Sequence, residues 1–188
     1  MLPDSAFSAS SNSGYSITGS LTNGTTISFY YSLGAASSRL YRTNNGSWVP
    51  EHPYTGEYIT ADLGKAYDVV AVANQGRRGV TSWYLTQFKF LHSMDGENFK
   101  YVVDDNDEHY VFSLSHAIKD TVEYNMLPYT IRATHVRLEV VQYYASPTVR
   151  WDIFFFNASK ICNNILNRDL YICSTCLQAH TQKECVSF

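Results

Sequence analysis

A donor-rich run lies at Gln75-Gly76-Arg77-Arg78-Gly79-Val80-Thr81-Ser82-Trp83. Paired arginines between glycines make a compact loop whose guanidinium N–H groups suit carboxylate, phosphate or sugar hydroxyls. A solvated turn is the competing reading of the same residues. Trp83 either lines a cleft beside them or caps the interior. A second candidate is Ile27-Ser28-Phe29-Tyr30-Tyr31-Ser32-Leu33, whose rings are flanked by small polar residues. Phe29, Tyr30 and Tyr31 could stack on a sugar or embed in a partner, or they could begin a strand and face the core. A third is Tyr143-Tyr144-Ala145-Ser146-Pro147, where Tyr143 and Tyr144 could face the same rim or pack against the body.

Catalytic patterns are absent. No Gly-x-Ser-x-Gly elbow, phosphate loop or His-Glu-x-x-His occurs, and the histidines at 52, 92, 109, 116, 135 and 180 lack metal-ligand spacing. His135 falls on the outward face of an alternating stretch. The acidic run Asp104-Asp105-Asn106-Asp107-Glu108 offers hard oxygen ligands, but without the glycine and spacing of an EF-hand it reads as a solvated hairpin tip. We therefore expect no enzyme, no cofactor and no bound metal. A net charge of −3 with 16% charged residues gives no general attraction to nucleic acid.

The four cysteines all fall late, at Cys162, Cys173, Cys176 and Cys185. They read as a disulfide-stapled unit with three possible pairings. A zinc site that adds His180 is the rival, although the spacing fits no common zinc pattern. Asn-x-Ser/Thr occurs at Asn23, Asn45 and Asn157, each a glycan acceptor if the chain is exported. No apolar run approaches the roughly 18–20 residues of a membrane span. The Ser-rich start carries no apolar signal core, so the chain reads as mature, or as a fragment whose export signal lies elsewhere.

The elements that must position these residues read as β. Aromatic residues are 15% of the chain, with 15 tyrosines, which suits pleated sheet. Residues 1–56 are rich in Ser, Gly, Asn and Tyr and read as loops with short strands. Strands are predicted at residues 58–62, ending in a Leu63-Gly64 turn, and at 67–73, a nearly continuous apolar run as expected for a strand covered on both faces. Residues 84–92 and 99–103 flank an Asp95-Gly96 hairpin signal. Residues 121–126 alternate, with Val122, Tyr124 and Met126 on one face. Residues 134–140 alternate with Val136, Leu138 and Val140 inward, and 149–155 form a last strand. Many strands spaced by turn residues predict a sandwich or barrel.

Several of these pieces, in order, resemble the discoidin domain, also called the coagulation factor V/VIII type C domain. They are Tyr58-Ile59-Thr60-Ala61-Asp62-Leu63-Gly64-Lys65, the apolar strand into Asn74-Gln75-Gly76-Arg77, Val80-Thr81-Ser82, Ser93-Met94-Asp95-Gly96-Glu97-Asn98-Phe99, and Arg132-Ala133-Thr134-His135-Val136-Arg137-Leu138. Ser38-Arg39-Leu40 and Ser47-Trp48 also fit. The resemblance covers residues 6–156. It implies an eight-stranded, jelly-roll-like, galactose-binding-like β-sandwich with ligand-binding spikes at one end. Family ligands include anionic phospholipid, galactose-type glycans, collagen and proteins. By the same resemblance the first spike lies between residues 13 and 33, Asn23 falls in it and Asn45 in the second, Arg77 belongs to the third, and Trp48 is buried. No cysteine precedes Cys162 to close the domain ends. Ser37-Ser38-Arg39-Leu40 stands where bacterial relatives carry a calcium loop, so that site is expected to be missing.

The reading is an all-β sandwich over 1–158 with a cysteine-rich tail, or the start of a further module, over 159–188. Its expected role is a secreted or extracellular adhesion module binding a cell-surface glycan or extracellular protein. Peripheral binding to an anionic membrane surface through the same loops is the first alternative. A structural spacer in a larger extracellular protein is the second.

Overall fold

The computed structural model describes residues 2–20, 22–40, 46–77, 83–115 and 121–156, with the side chains of 15–20, 27–32 and 156 outside that description. Its strands are β1 (Phe7–Ala9), β2 (Ser13–Ser20), β3 (Thr26–Leu33), β4 (Tyr58–Gln75), β5 (Tyr84–Ser93), β6 (Lys100–Tyr101), β7 (Val111–Ser113), β8 (Val122–Tyr144) and β9 (Arg150–Phe156). Single 3₁₀ turns at Asp4–Ala6 and Ala35–Ser37 are the helical parts of the described residues.

Two stretches expected as pairs of strands are continuous. Residues 58–62 and 67–73 both belong to β4, and residues 121–126 and 134–140 both belong to β8. The β4–β8 ladder runs from Tyr58↔Glu139 to Asp62↔His135, slips, and resumes at Tyr67↔Ala133. It slips again after Val69↔Ile131 and finishes from Ala71↔Met126 to Gln75↔Val122. What the sequence suggested as a Leu63-Gly64 turn is therefore a bulge within one strand. Gly64 sits there at φ 75°, a conformation open to a residue without Cβ, and its N–H donates to Asp62 Oδ1 at 2.7 Å.

The bulge divides the ladder between two layers. The first half of β4 pairs with β1 and with the second half of β8, which in turn pairs with β5; β6 and β7 flank β5. The second half of β4 lies between β9 and the first half of β8. Ile59, Phe88, Phe90, Val136 and Leu138 from the first layer meet Val69, Val72, Ile131, Trp151 and Ile153 from the second in one buried cluster. Period-two alternation places Val136, Leu138 and Val140 inward, as expected. The other alternating face looks outward: Tyr124 and Met126 are 46% and 44% exposed.

The Asp95-Gly96 hairpin is held by its own side chains. Asp95 Oδ1 accepts the N–H groups of Glu97 and Asn98, Asp95 Oδ2 accepts Asn98 Nδ2, and Ser93 Oγ donates to Oδ1. These bonds, Asn98's foremost, hold the carboxyl well below the usual carboxylate range. The returning β6 is shorter than the predicted 99–103. The acidic run is a solvated turn closed by Asp104 Oδ1, which accepts from Asn106 N and Glu108 N.

The N-terminal segment is fastened by a buried arginine. Arg39 donates to Leu2 O at 2.8 Å, stands over the Phe7 ring at 5.4 Å and lies 3.9 Å from Asp152 Oδ2. Burial pushes the Asp152 carboxyl up to about 6, against the opposing pull of Arg39.

Two predictions follow from this packing. Phe88→Ala, at the contact of the layers, is expected to cost about 3–5 kcal/mol in urea unfolding, while Tyr124→Ser on the outer face costs less than about 1 kcal/mol. Comparable losses at both positions would contradict the layer assignment. For Asp152, the folded carboxyl titrates near 6 against a reference of 3.8, so its favourable contribution is complete below about pH 4, is lost as pH rises to about 6, and is flat above. Unfolding free energies of the wild type relative to Asp152→Asn should decline across that window. A difference independent of pH would contradict the assignment.

Candidate functional site at the loop end

A single residue, Val49, stitches one end of the sandwich together. Its carbonyl accepts from Ser13 N at 2.8 Å and its N–H donates to Leu33 O at 2.9 Å, so the base of the β2–β3 hairpin is pinned to the segment after Trp48. Trp48 is fully buried, as expected, with its N–H and carbonyl paired to Val149 and its Nε1 donating to Ser11 O at 2.9 Å. Arg150, also buried, donates Nε and Nη2 to Gly76 O at 2.8 and 2.5 Å and holds the start of the arginine loop.

The hairpin base and three connecting segments enclose an open cleft of about 560 Å³. Ser13 and Leu33 come from the hairpin, Val49, Pro50, Glu51 and Pro53 from the segment before β4, Arg77 and Trp83 from the β4–β5 loop, and Ala145 and Ser146 from the β8–β9 loop. That last turn holds Ala145 in the left-handed region at φ 56°, with Ser146 N donating to Tyr144 O at 2.7 Å. Apolar walls (Leu33, Val49, the prolines, the indole) thus carry a few polar groups, the usual composition of a small-ligand site. Several buried polar atoms on or next to these segments have no partner among the described residues: Ser47 Oγ and Thr148 Oγ1, which flank the Trp48–Val149 bridge, Asn74 Nδ2 at the end of β4 and Arg77 Nε.

The structure sorts the sequence candidates. Arg77 and Trp83 share the cleft, with the guanidinium carbon 5.4 Å from the indole centroid. Arg77 is not a solvated turn residue, since it is only 6% exposed. Arg78 lies outside the described residues, as do Asn45, Asn157 and the tail residues Cys162, Cys173, Cys176, His180 and Cys185. Phe29, Tyr30 and Tyr31 are placed in strand β3 opposite Ile17, Ser16 and Tyr15; the exposed tip of that hairpin holds Asn23, whose Oδ1 accepts from Thr25 N at 3.0 Å. Tyr143 packs against the core and donates its hydroxyl to Pro53 O; Tyr144 is exposed and stacks on Tyr84 at 5.4 Å. The cleft wall takes Ala145 and Ser146 from this loop, not the two tyrosines. His135 is half-buried, 3.5 Å from Asp62 Oδ1, with Nδ1 2.9 Å from Thr134 Oγ1.

Sequence reasoning missed Glu51, with its neighbours Val49, Pro50 and Pro53, as cleft residues. For Glu51 a signal existed: Pro50 and Pro53 bracket it just after a tryptophan, marking an irregular segment tied to the core.

A two-layer sandwich whose loops converge on one cleft defines a discoidin-type binding domain. Residues 8–153 match the family model described as F5/8 type C domain, and the chain belongs to that family. It is similar to lactadherin of Rattus norvegicus (26% identical over 122 residues) and of Mus musculus (27% over 124), in each case over 64% of this chain. The alignments cover 29% and 26% of those relatives, so the chain spans less than a third of their length. Among solved structures it is similar to recombinant discoidin II of Dictyostelium discoideum, with TM-score 0.59 and 17% identity over 81% of this chain and 58% of that one. It is also similar to the family 32 CBM from C. perfringens NanJ in complex with galactose, with TM-score 0.51 and 15% identity over 80% and 95%. These structural likenesses establish the fold.

Proposed function

We propose that this domain is an extracellular, non-enzymatic adhesion module whose loop-end cleft recognises a cell-surface saccharide. The observation that carries this reading is the joint presence of Trp83, Arg77 and Glu51 in one open cleft of about 560 Å³. An indole offers a flat apolar surface to the C–H face of a pyranose, a guanidinium donates to ring hydroxyls, and a carboxylate accepts from them. That is the donor and acceptor complement of a polyol, held on a scaffold of buried strands. The galactose in the C. perfringens neighbour favours the same ligand class.

Location outside the cell fits the three glycan acceptor sequences and the late cysteines. Asn23 is exposed at the tip of the β2–β3 hairpin, and a hydrophilic glycan there would oppose burial of that tip in lipid. This favours a saccharide over an anionic membrane surface.

A glycan array probed with the wild type, Trp83→Ala and Tyr30→Ala tests the reading. Wild-type binding should fall at least about tenfold in Trp83→Ala. A blank array with sedimentation on anionic vesicles would replace the saccharide by a membrane surface, and undiminished binding by Trp83→Ala would take the saccharide out of this cleft.

A further inference from the structure

Three arginines are buried among the described residues, and they differ in how their charge is met. Arg39 has Asp152 and the Leu2 carbonyl. Arg150 has two bonds to the Gly76 carbonyl. Arg77 has neither kind of partner: its Nε is buried with no acceptor, and no hydrogen bond or ion pair joins it to a described residue. Its close neighbour is the Trp83 ring, whose electron-rich face offsets only part of a buried cation's lost hydration. A guanidinium withdrawn from water is strongly disfavoured until an anion meets it. Here the space beside it is the cleft that Arg77 lines. With Nε sealed off, the terminal Nη pair is the part a ligand reaches.

Glu51 narrows the choice of anion. It is exposed, lines the same cleft, and makes no ion pair with Arg77. A phosphate dianion would meet its repulsion in a chain of formal net charge −3. One carboxylate balances one guanidinium in the favoured bidentate geometry, and hydroxyls on the same ring can donate to Glu51.

We propose that the cleft selects a sugar that carries a carboxylate, of the uronic or sialic acid type, with that carboxylate on the Nη pair of Arg77 and the ring against Trp83. This deepens the saccharide reading and rests on it.

Titration calorimetry on the full chain, with matched methyl glycosides, tests the proposal. The pairs are methyl glucuronide against methyl glucoside and methyl galacturonide against methyl galactoside, with methyl N-acetylneuraminate glycoside as the sialic acid probe. At least one acidic sugar should bind about tenfold or more tighter than the neutral sugars, and added salt should weaken it. Arg77→Gln should erase the preference, and Arg77→Lys should retain part of it. Because Arg77 is buried and its variants could fail to fold, Glu51→Gln on the exposed wall is the second arm: it should tighten acidic sugars by a few-fold and leave neutral ones weaker or unchanged. Neutral sugars binding as tightly as their acidic partners would overturn the carboxylate assignment and leave the saccharide reading standing. No sugar binding, with binding to phosphatidylserine vesicles, would overturn both. Glu51→Gln weakening acidic and neutral sugars alike would likewise overturn the charge argument.

Discussion

The pairing of β4 with β8 is the constraint on which the molecule depends. These two strands, Tyr58–Gln75 and Val122–Tyr144, contribute to both layers, and the ladder between them is interrupted at residues 62–67 and 69–71. Because side chains alternate along a strand, a one-residue slip would turn Val69, Val72, Val136 and Leu138 out of the interior. The bulge around Gly64 lets the same two strands bend from one layer into the other while both halves keep their apolar side chains inward.

The positions of the described residues at the loop end follow from this arrangement. β4 ends at Gln75, so Gly76 and Arg77 leave the sheet from a fixed point, and Arg150 on the neighbouring β9 grips the Gly76 carbonyl. β8 ends at Tyr144, just before Ala145 and Ser146, which line the cleft. The two longest described strands thus end in two loops that line the same cleft, and Val49 fixes the hairpin base.

Much of this was legible in the residues. Alternation at 134–140 and the apolar run at 67–73 identified core strands because each has one dominant physical explanation, burial of every second or of nearly every side chain. Continuity was not legible: Leu63-Gly64 has the composition of a turn, and whether glycine at positive φ makes a turn or a bulge depends on a partner strand remote in sequence. The same limit applies to Tyr124 and Met126, whose alternation is genuine but whose face is outward. At the site, the Arg77–Trp83 pairing was visible as a donor-rich loop beside an aromatic residue. The burial of Arg77, the grip of Arg150 and the approach of Glu51 were not, because each depends on contacts between segments far apart in the chain. Residues Phe29 to Tyr31 fit either a loop or a strand by sequence, and their backbone belongs to β3, paired with β2.

The chain's three tryptophans offer the most direct test of where recognition occurs. Trp48 Nε1 is bonded to Ser11 O and Trp151 Nε1 to Ser38 Oγ in the interior, whereas Trp83 lines the cleft. In proton–nitrogen correlation spectra recorded while a methyl uronoside is added, the account predicts a progressive, saturable shift of the Trp83 indole signal with the other two nearly still. An unmoved Trp83 signal alongside saturable shifts elsewhere on the sandwich would contradict it.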